Sequence, residues 1–441
     1  MKSLSPMPLR FLKFFWLFPF FLPTYLVKIP LTKKGSLPLL DLFLLAGIIF
    51  FATNGLFCRQ KRFWRRLSLL FPGKFLAGLL FVLSGLFFSF WLNFEKYSSF
   101  WDGAGLIKSF FILPIGFSFL FWINFGKNFS FVFRKILLFL FSYSSLLAIV
   151  ATFFWINKKT TFDKRVSVFF ESPNFLATSL AIGILVGSFL LWTHLLQKKP
   201  LPASFIFKDL FSKIIFLLLC FHFIGLWRTY SLGSWLAISI AMALFLLNIF
   251  FHLKNEKIIL LKTKELFFFS VIFSFFLVSP AFLGFAQKQS FFLSGSNLSR
   301  LAIYQASSKI IASNWLFGIG PKNFQSAYLE SQKFFPPFPQ WAVPHCHNFV
   351  LQIFIEGGLL GLVGILFILL SLTEKITIAL KKNQNRPLAV FLASFWSYFL
   401  IHGLVDATFW NNDHIFLFWF FAFSTLALVP HFSRKQSFFQ K

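Results

Sequence analysis

Two histidines separated by a single cysteine, and followed at once by an asparagine, stand at the mouth of an apolar run in PHCHNFVLQIFIEGGLLGLVG, residues 344–364. Histidine has an ordinary pKa near about 6.5, so it accepts and returns a proton near neutral pH, which is the work of a general base. His347 and His345 are the candidates. Asn348 is a polar neighbour that either orients a ligand or caps the helix that follows. Glu356 lies further along, roughly 13 Å beyond His347 on a helix that rises 1.5 Å per residue. A carboxylate that deep in an apolar helix demands a partner or a cavity. Gly357 and Gly361 form a G-x-x-x-G pair, which lets a neighbouring helix approach closely.

The H-C-H triplet also offers metal ligands. Adjacent ligands in an extended segment rarely close on one ion, and Asp406 and Asp413 are distant in sequence, so neither a metal nor a cofactor is expected. Cys58, Cys220 and Cys346 are far apart with no C-x-x-C pair. That spacing argues against a disulfide framework and against a zinc site of the usual kind.

The elements that must hold these residues follow from composition. The chain has 441 residues, 57% of them hydrophobic and 12% charged, with mean hydropathy +0.75. A soluble chain of that size cannot bury so much apolar surface, so the expected fold is an all-α polytopic membrane protein. The formal charge of +29 first points to phosphate or nucleic acid. Lys and Arg cluster instead in short segments between apolar runs, as charges that orient helices do, so the expected partner is membrane rather than nucleic acid.

At about 20 apolar residues per span, twelve spans emerge, at roughly 9–28, 37–57, 74–94, 104–125, 135–156, 174–196, 209–227, 231–252, 266–286, 348–371, 387–407 and 414–430. The basic start followed by apolar Phe11–Val27 reads as the first of them. It lacks the small-residue cleavage site of a signal peptide. With the N-terminus cytoplasmic, the inner segments hold the larger share of the 42 Lys and Arg residues, most sharply in CRQKRFWRR at 58–66, so both termini are expected in the cytoplasm. One outer connection, 287–347, is far longer than the others, and loops of that length usually fold on themselves and carry function. Within it SRLAIYQASSKIIASNWLFGIG, 299–320, reads as an amphipathic helix with Leu301, Tyr304, Ile311 and Trp315 on its apolar side, ended by Gly318 and Gly320. Pro336, Pro337 and Pro339 then make an extended return. No internal repeat is visible, and 1–441 reads as a single membrane domain.

The order His347, Asn348, nine residues, Gly358, two residues, Gly361 resembles the signature of the O-antigen ligase and polymerase superfamily, a histidine followed by Asn, Ser or Gln, nine residues and G-x-x-G. Three further stretches are similar to that family. PNFLA, at 173–177, resembles the P-N-x-L-A start of an earlier span. SRLAIYQASSKIIASNWLFGIGPKNF resembles the outer-loop helix that opens with an arginine and closes on a G-x-G-x-x-x-F turn. HGLVD, at 402–406, resembles the H-x-L-V-D end of the eleventh span. The resemblance covers 171–441, whereas the N-terminal spans in 1–170 match only in being apolar.

The resemblance implies a glycosyltransferase that takes a glycan from undecaprenyl pyrophosphate and joins it to lipid A-core on the periplasmic face of the bacterial inner membrane. On that reading His347 is the base, and Arg300 and Arg228 hold the leaving pyrophosphate, as arginine's planar fork suits phosphate oxygens. Asn348, Lys322 and His345 bind substrate, while Glu356, Gly358, Gly361 and Asp406 support the site. The plainer reading makes the arginines headgroup-facing cations and His347 an interfacial residue. One position departs from the pattern. The family's T-x-S-R appears here as Thr229-Tyr230-Ser231-Leu232, and Arg228, one helical turn before Leu232, is expected to supply the charge. Two other activities stay open: a polymerase that joins lipid-linked repeat units, and, from hydropathy alone, a transporter of lipid-linked sugars.

Overall fold

A run of about 20 apolar residues can lie in hydrocarbon only if its backbone groups are paired within itself, and a helix does that. The computed structural model describes residues 13–30, 36–58, 72–93, 100–125, 129–161, 164–197, 209–255, 295–336, 342–382, 385–407 and 409–428. Its helices in chain order are α1 (Leu39–Cys58), α2 (Gly73–Asn93), α3 (Phe100–Ile107), α4 (Leu113–Phe125), α5 (Phe129–Ile156), α6 (Pro173–Gln197), α7 (Leu210–Arg228), α8 (Leu232–Asn255), α9 (Gly295–Asn314), α10 (Phe324–Gln332), α11 (Phe349–Lys381), α12 (Arg386–Val405) and α13 (Asn412–Leu428). Among the described residues eight segments are long and apolar enough to cross a membrane, with α3 and α4 joined as one of them, and α1 and α13 hold shorter apolar stretches. The protein is an all-α polytopic membrane protein. The expected span at 266–286 lies outside the described residues.

The start of the chain differs from expectation. Lys13–Leu26 is a 3-10 helix containing Pro19 and Pro23. Proline has no N–H to donate and its ring clashes in an α-helical interior, so this apolar stretch winds differently from the others. A short antiparallel pair follows, β1 (Lys28–Pro30) with β2 (Ser36–Pro38). Between α3 and α4, residues Lys108–Ile112 form a single π turn. Its wider winding leaves the Phe110 carbonyl for Trp419, whose Nε1 donates to it at 2.8 Å. Asp41, 1% exposed, accepts from Ser109 Oγ at 2.6 Å and pairs with Lys108 Nζ at 2.9 Å.

The chain gathers into two compact units that interleave in sequence. The first takes Met1–Phe133, Phe292–Gln384 and Phe409–Lys441, and the second takes Arg134–Phe291 and Asn385–Thr408. In the first unit Phe15, Phe18, Phe51, Phe117, Phe121 and Phe420 interlock edge to face and tilted, for example Phe18 and Phe420 with ring centroids 4.6 Å apart. The same unit holds the closest helix pair. A Cβ on Gly85 of α2 would lie 2.6 Å from the Gly357 carbonyl oxygen and 2.7 Å from Gly361 N, and one on Gly78 would lie 2.7 Å from the Gly364 carbonyl oxygen. Small residues on both helices therefore bring α2 and α11 backbone to backbone. In the second unit α5, α6 and α7 meet around fully buried His222, whose Nε2 is 3.0 Å from Ser144 Oγ.

Candidate functional site

The site in the first unit is organised by a break inside α11. At Gly358 the backbone leaves the helical region, with φ 63° and ψ −161°, a combination open essentially to glycine alone. The break leaves the carbonyls before it without their helical donors, and the turn after α9 supplies new ones. Ile319 N donates to the Ile355 carbonyl at 2.9 Å and Gly320 N to the Glu356 carbonyl at 3.1 Å, while Leu359 N donates to the Leu316 carbonyl at 3.1 Å. Gly318 and Gly320 have φ of 73° and 87°. A Cβ on Gly318 would come within 2.6 Å of Gly358 N, and one on Gly358 within 2.3 Å of the Leu316 oxygen. Gly318, Gly320 and Gly358 thus serve one purpose, a strand-like seam between the turn at 316–320 and the broken helix.

Side chains reinforce the seam. Glu356, 1% exposed, accepts at Oε1 from Lys322 N at 3.2 Å and from Gln352 Nε2 at 2.8 Å. Gln352 Oε1 in turn accepts from Cys346 N at 2.8 Å. Glu356 Oε1 therefore belongs to a polar tie that runs from the H-C-H segment through one face of α11 to the turn at Lys322. Replacing Glu356 by Ala strands the Lys322 and Gln352 donors and should cost about 1–3 kcal/mol. Replacing it by Gln keeps the acceptor and should cost clearly less. Thermal unfolding of the purified protein compares the two, and equal losses would sink the tie.

His347 stands above the seam. It is half-buried, with φ 52°, an uncommon backbone region for a residue other than glycine and one often found where function constrains the chain. Its carbonyl accepts from Tyr304 OH at 3.2 Å. His345 is 8% exposed, and its ring meets that of His347 edge to face with centroids 4.6 Å apart. Asn348 is the N-cap of α11, its Oδ1 accepting from Leu351 N at 3.0 Å. Cys346 is fully buried, and burial pushes its thiol well above the ordinary range, so the residue between the histidines fills the core rather than reacting.

Arg300 is half-buried on α9, one turn before Tyr304 and on the same face, which directs it toward the His347 side of that helix. Lys322 is exposed, with φ 72°. The first unit therefore gathers His345, His347, Asn348, Glu356 and the Lys322 backbone around one seam, and carries Arg300 one turn from Tyr304 on α9. The stripe expected on α9 is corrected. Leu301 and Trp315 are 56% and 51% exposed, and the buried side is Ala302, Ile303, Ala306, Ser307 and Ile310. Ile303, Ala306 and Ile310 pack onto Ile355, Tyr328 and Val343, so the inward face mixes isoleucines with small residues and lies beside the stripe expected from the larger side chains.

The remaining candidates lie in the second unit. Arg228 ends α7, with its guanidinium 3.9 Å above the Trp155 ring and its Nη1 3.5 Å from Tyr230 OH. The expectation that Arg228 and Leu232 share a helical face fails. The chain turns at Thr229–Ser231, where Tyr230 has φ 49°, and Leu232 opens the next helix with 48% exposure. Asp406 caps the end of α12 and accepts from Asn174 Nδ2. Asn174 Oδ1 accepts from Arg165 Nη2 at 2.8 Å, and Arg165 Nε donates to the Thr229 carbonyl at 2.6 Å. His402 Nδ1 faces Tyr398 OH at 3.2 Å and Thr178 Oγ1 at 3.4 Å. The P-N-x-L-A and H-x-L-V-D stretches are therefore partners in one network. Arg165 and Gln352 belong to these networks although the sequence singles out neither, and each also bonds a backbone group, the Thr229 carbonyl and Cys346 N, that a sequence does not display.

A family model described as O-antigen ligase matches residues 214–366, from within α7 through the seam to the middle of α11. No curated protein matches the chain.

Proposed function

We propose that this chain, whose residues 214–366 match a family model described as O-antigen ligase, is a glycosyltransferase that moves a glycan from undecaprenyl pyrophosphate to lipid A-core at the outer face of the inner membrane. The observation that supports the reading is the seam, which joins the α9 turn to α11 beside the contact of Tyr304 with His347 and ties the Lys322 backbone to Glu356.

In the proposed step the acceptor hydroxyl oxygen attacks the anomeric carbon of the donor glycan. The carbon–oxygen bond to the pyrophosphate breaks, and its electron pair leaves with the undecaprenyl pyrophosphate. His347 takes the hydroxyl proton as the new bond forms, and placing a base within reach of that proton typically contributes about 10²–10⁴-fold. Arg300 and Lys322 hold the charge that builds on the leaving group, often the largest catalytic contribution. Asn348 uses its Oδ1 on the helix cap, so any part it plays with sugar falls to its amide.

Deleting the gene and examining lipopolysaccharide together with lipid-linked glycan tests the reading. A ligase leaves bare core, with long glycan stranded on the carrier. Core bearing one repeat unit would instead select a polymerase, and polymer on the core at parental level would remove both.

A further inference from the structure

The turn that docks into α11 carries three consecutive large apolar residues, Trp315, Leu316 and Phe317, exposed to 51%, 43% and 51%. Their height in the membrane can be worked out from α11, which spans it. At one end lies the ion pair between Lys74 and Glu374, with side chains 62% and 52% exposed; exposed charges are costly in hydrocarbon, which puts one boundary at this pair. About 30 Å of hydrocarbon corresponds to about 20 helical residues, so the opposite boundary falls near Phe354. The turn is pinned to Gly358 and Leu359, roughly 6 Å inside that boundary.

Helix α9 leads down to this point. Tyr304 meets His347 and Leu316 meets Leu359, the same separation along both segments, so α9 runs down alongside the first part of α11. Between Tyr304 and the tip the exposed side chains Gln305 and Ser308 are polar, and three consecutive large apolar residues come only at the tip, although Leu301 near the start of the helix is also exposed. Irregular backbone at membrane depth survives where its polar groups find protein partners. Here the Leu316 carbonyl takes Leu359 N, the Gly318 carbonyl takes Asn93 Nδ2 at 3.3 Å, and the Ile319 carbonyl takes Asn323 Nδ2 at 2.7 Å.

We propose that Trp315, Leu316 and Phe317 form a membrane wedge that inserts among the phospholipid acyl chains of the leaflet on this side, and so sets the height of Arg300 and His347 relative to the lipid headgroups. Its partner is the bilayer itself. Tryptophan at the edge of the hydrocarbon with leucine and phenylalanine beside it is the composition such a position favours.

The test needs no glycan transfer, so it stands apart from the function proposed above. Benzoylphenylalanine replaces Phe317, and in a second protein Trp315, in the full chain reconstituted in vesicles of phosphatidylethanolamine and phosphatidylglycerol with tagged acyl chains. Illumination should give phospholipid adducts at a yield like that from the same probe at Leu366, an exposed position within α11. The probe at exposed Glu330 on α10 should give none. Yields at 315 and 317 that match Glu330 would overturn the wedge, as would adducts formed with protein or with added undecaprenyl carrier and not with phospholipid. Two probe positions of aromatic size guard against one replacement disturbing the turn.

Discussion

Replacing Gly358 by Ala is expected to release the turn at 316–320 from α11 and to abolish transfer, while leaving the protein in the membrane. Two penalties coincide at this position. Its backbone, φ 63° and ψ −161°, costs a residue with a Cβ about 1–3 kcal/mol. The added carbon would also lie 2.3 Å from the Leu316 oxygen and 2.7 Å from Gly318 N, so relief means giving up seam hydrogen bonds at about 1 kcal/mol each. The sum, about 4 kcal/mol, is a large part of the stability of an ordinary domain. Limited proteolysis should cut near 315–336 in the variant and not in the parent, and thermal unfolding should begin earlier. Gly361→Ala is the control. That glycine keeps an ordinary backbone, and its added carbon meets the Ile353 carbonyl at 2.9 Å, so a smaller loss is expected. A Gly358→Ala protein that melts with the parent and protects its loop would show that the seam tolerates a regular residue.

The spans were legible because a membrane enforces one pattern, apolar length, and α2, α5, α6, α7, α8 and α12 lie close to where hydropathy puts them. What hydropathy misses is how a span is wound. Lys13–Leu26 is as apolar as its neighbours, but two prolines change its hydrogen bonding. The interior of α11 reads as one helix because the glycines that break it are also acceptable in close helix packing. Only the partner turn, placed by long-range contact, reveals that Gly358 breaks the helix while Gly357, Gly361 and Gly364 pack against α2.

At the site, residue types were informative and roles were less so. His347, Lys322 and Glu356 were visible as polar groups in apolar surroundings. Whether a carboxylate lines a cavity or ties two segments depends on what faces it, and Lys322 N and Gln352 face Glu356. Arg228 illustrates the opposite limit. Spacing of four implies a shared face only if the helix continues, and the turn at Tyr230 ends it. The inward face of α9 differs from expectation because Ile303, Ala306 and Ile310 pack against Ile319 and Tyr328, while Leu301 and Trp315, the larger apolar residues, stay exposed.

Replacing His347 by Asn is expected to lower kcat for transfer by about 10²–10⁴-fold, the range for loss of a positioned base, with the melting temperature unchanged. Asparagine is the informative substitute because it tolerates positive φ nearly as well as any residue with a side chain, and His347 sits at φ 52°. The contact with Tyr304 OH uses the backbone carbonyl of residue 347, so it survives the change. An alanine there would mix backbone strain with lost chemistry. His345→Asn provides the comparison. His345 is buried against His347 and only 8% exposed, so its loss should disturb the ring packing and cost less in rate than loss of His347. Reversal of that order would move the base to His345, and full activity in both variants would remove histidine from the reaction. Steady-state rates with purified lipid-linked donor, read beside melting curves, distinguish these outcomes. A merely structural histidine would lower stability and rate together, whereas a base lowers kcat alone.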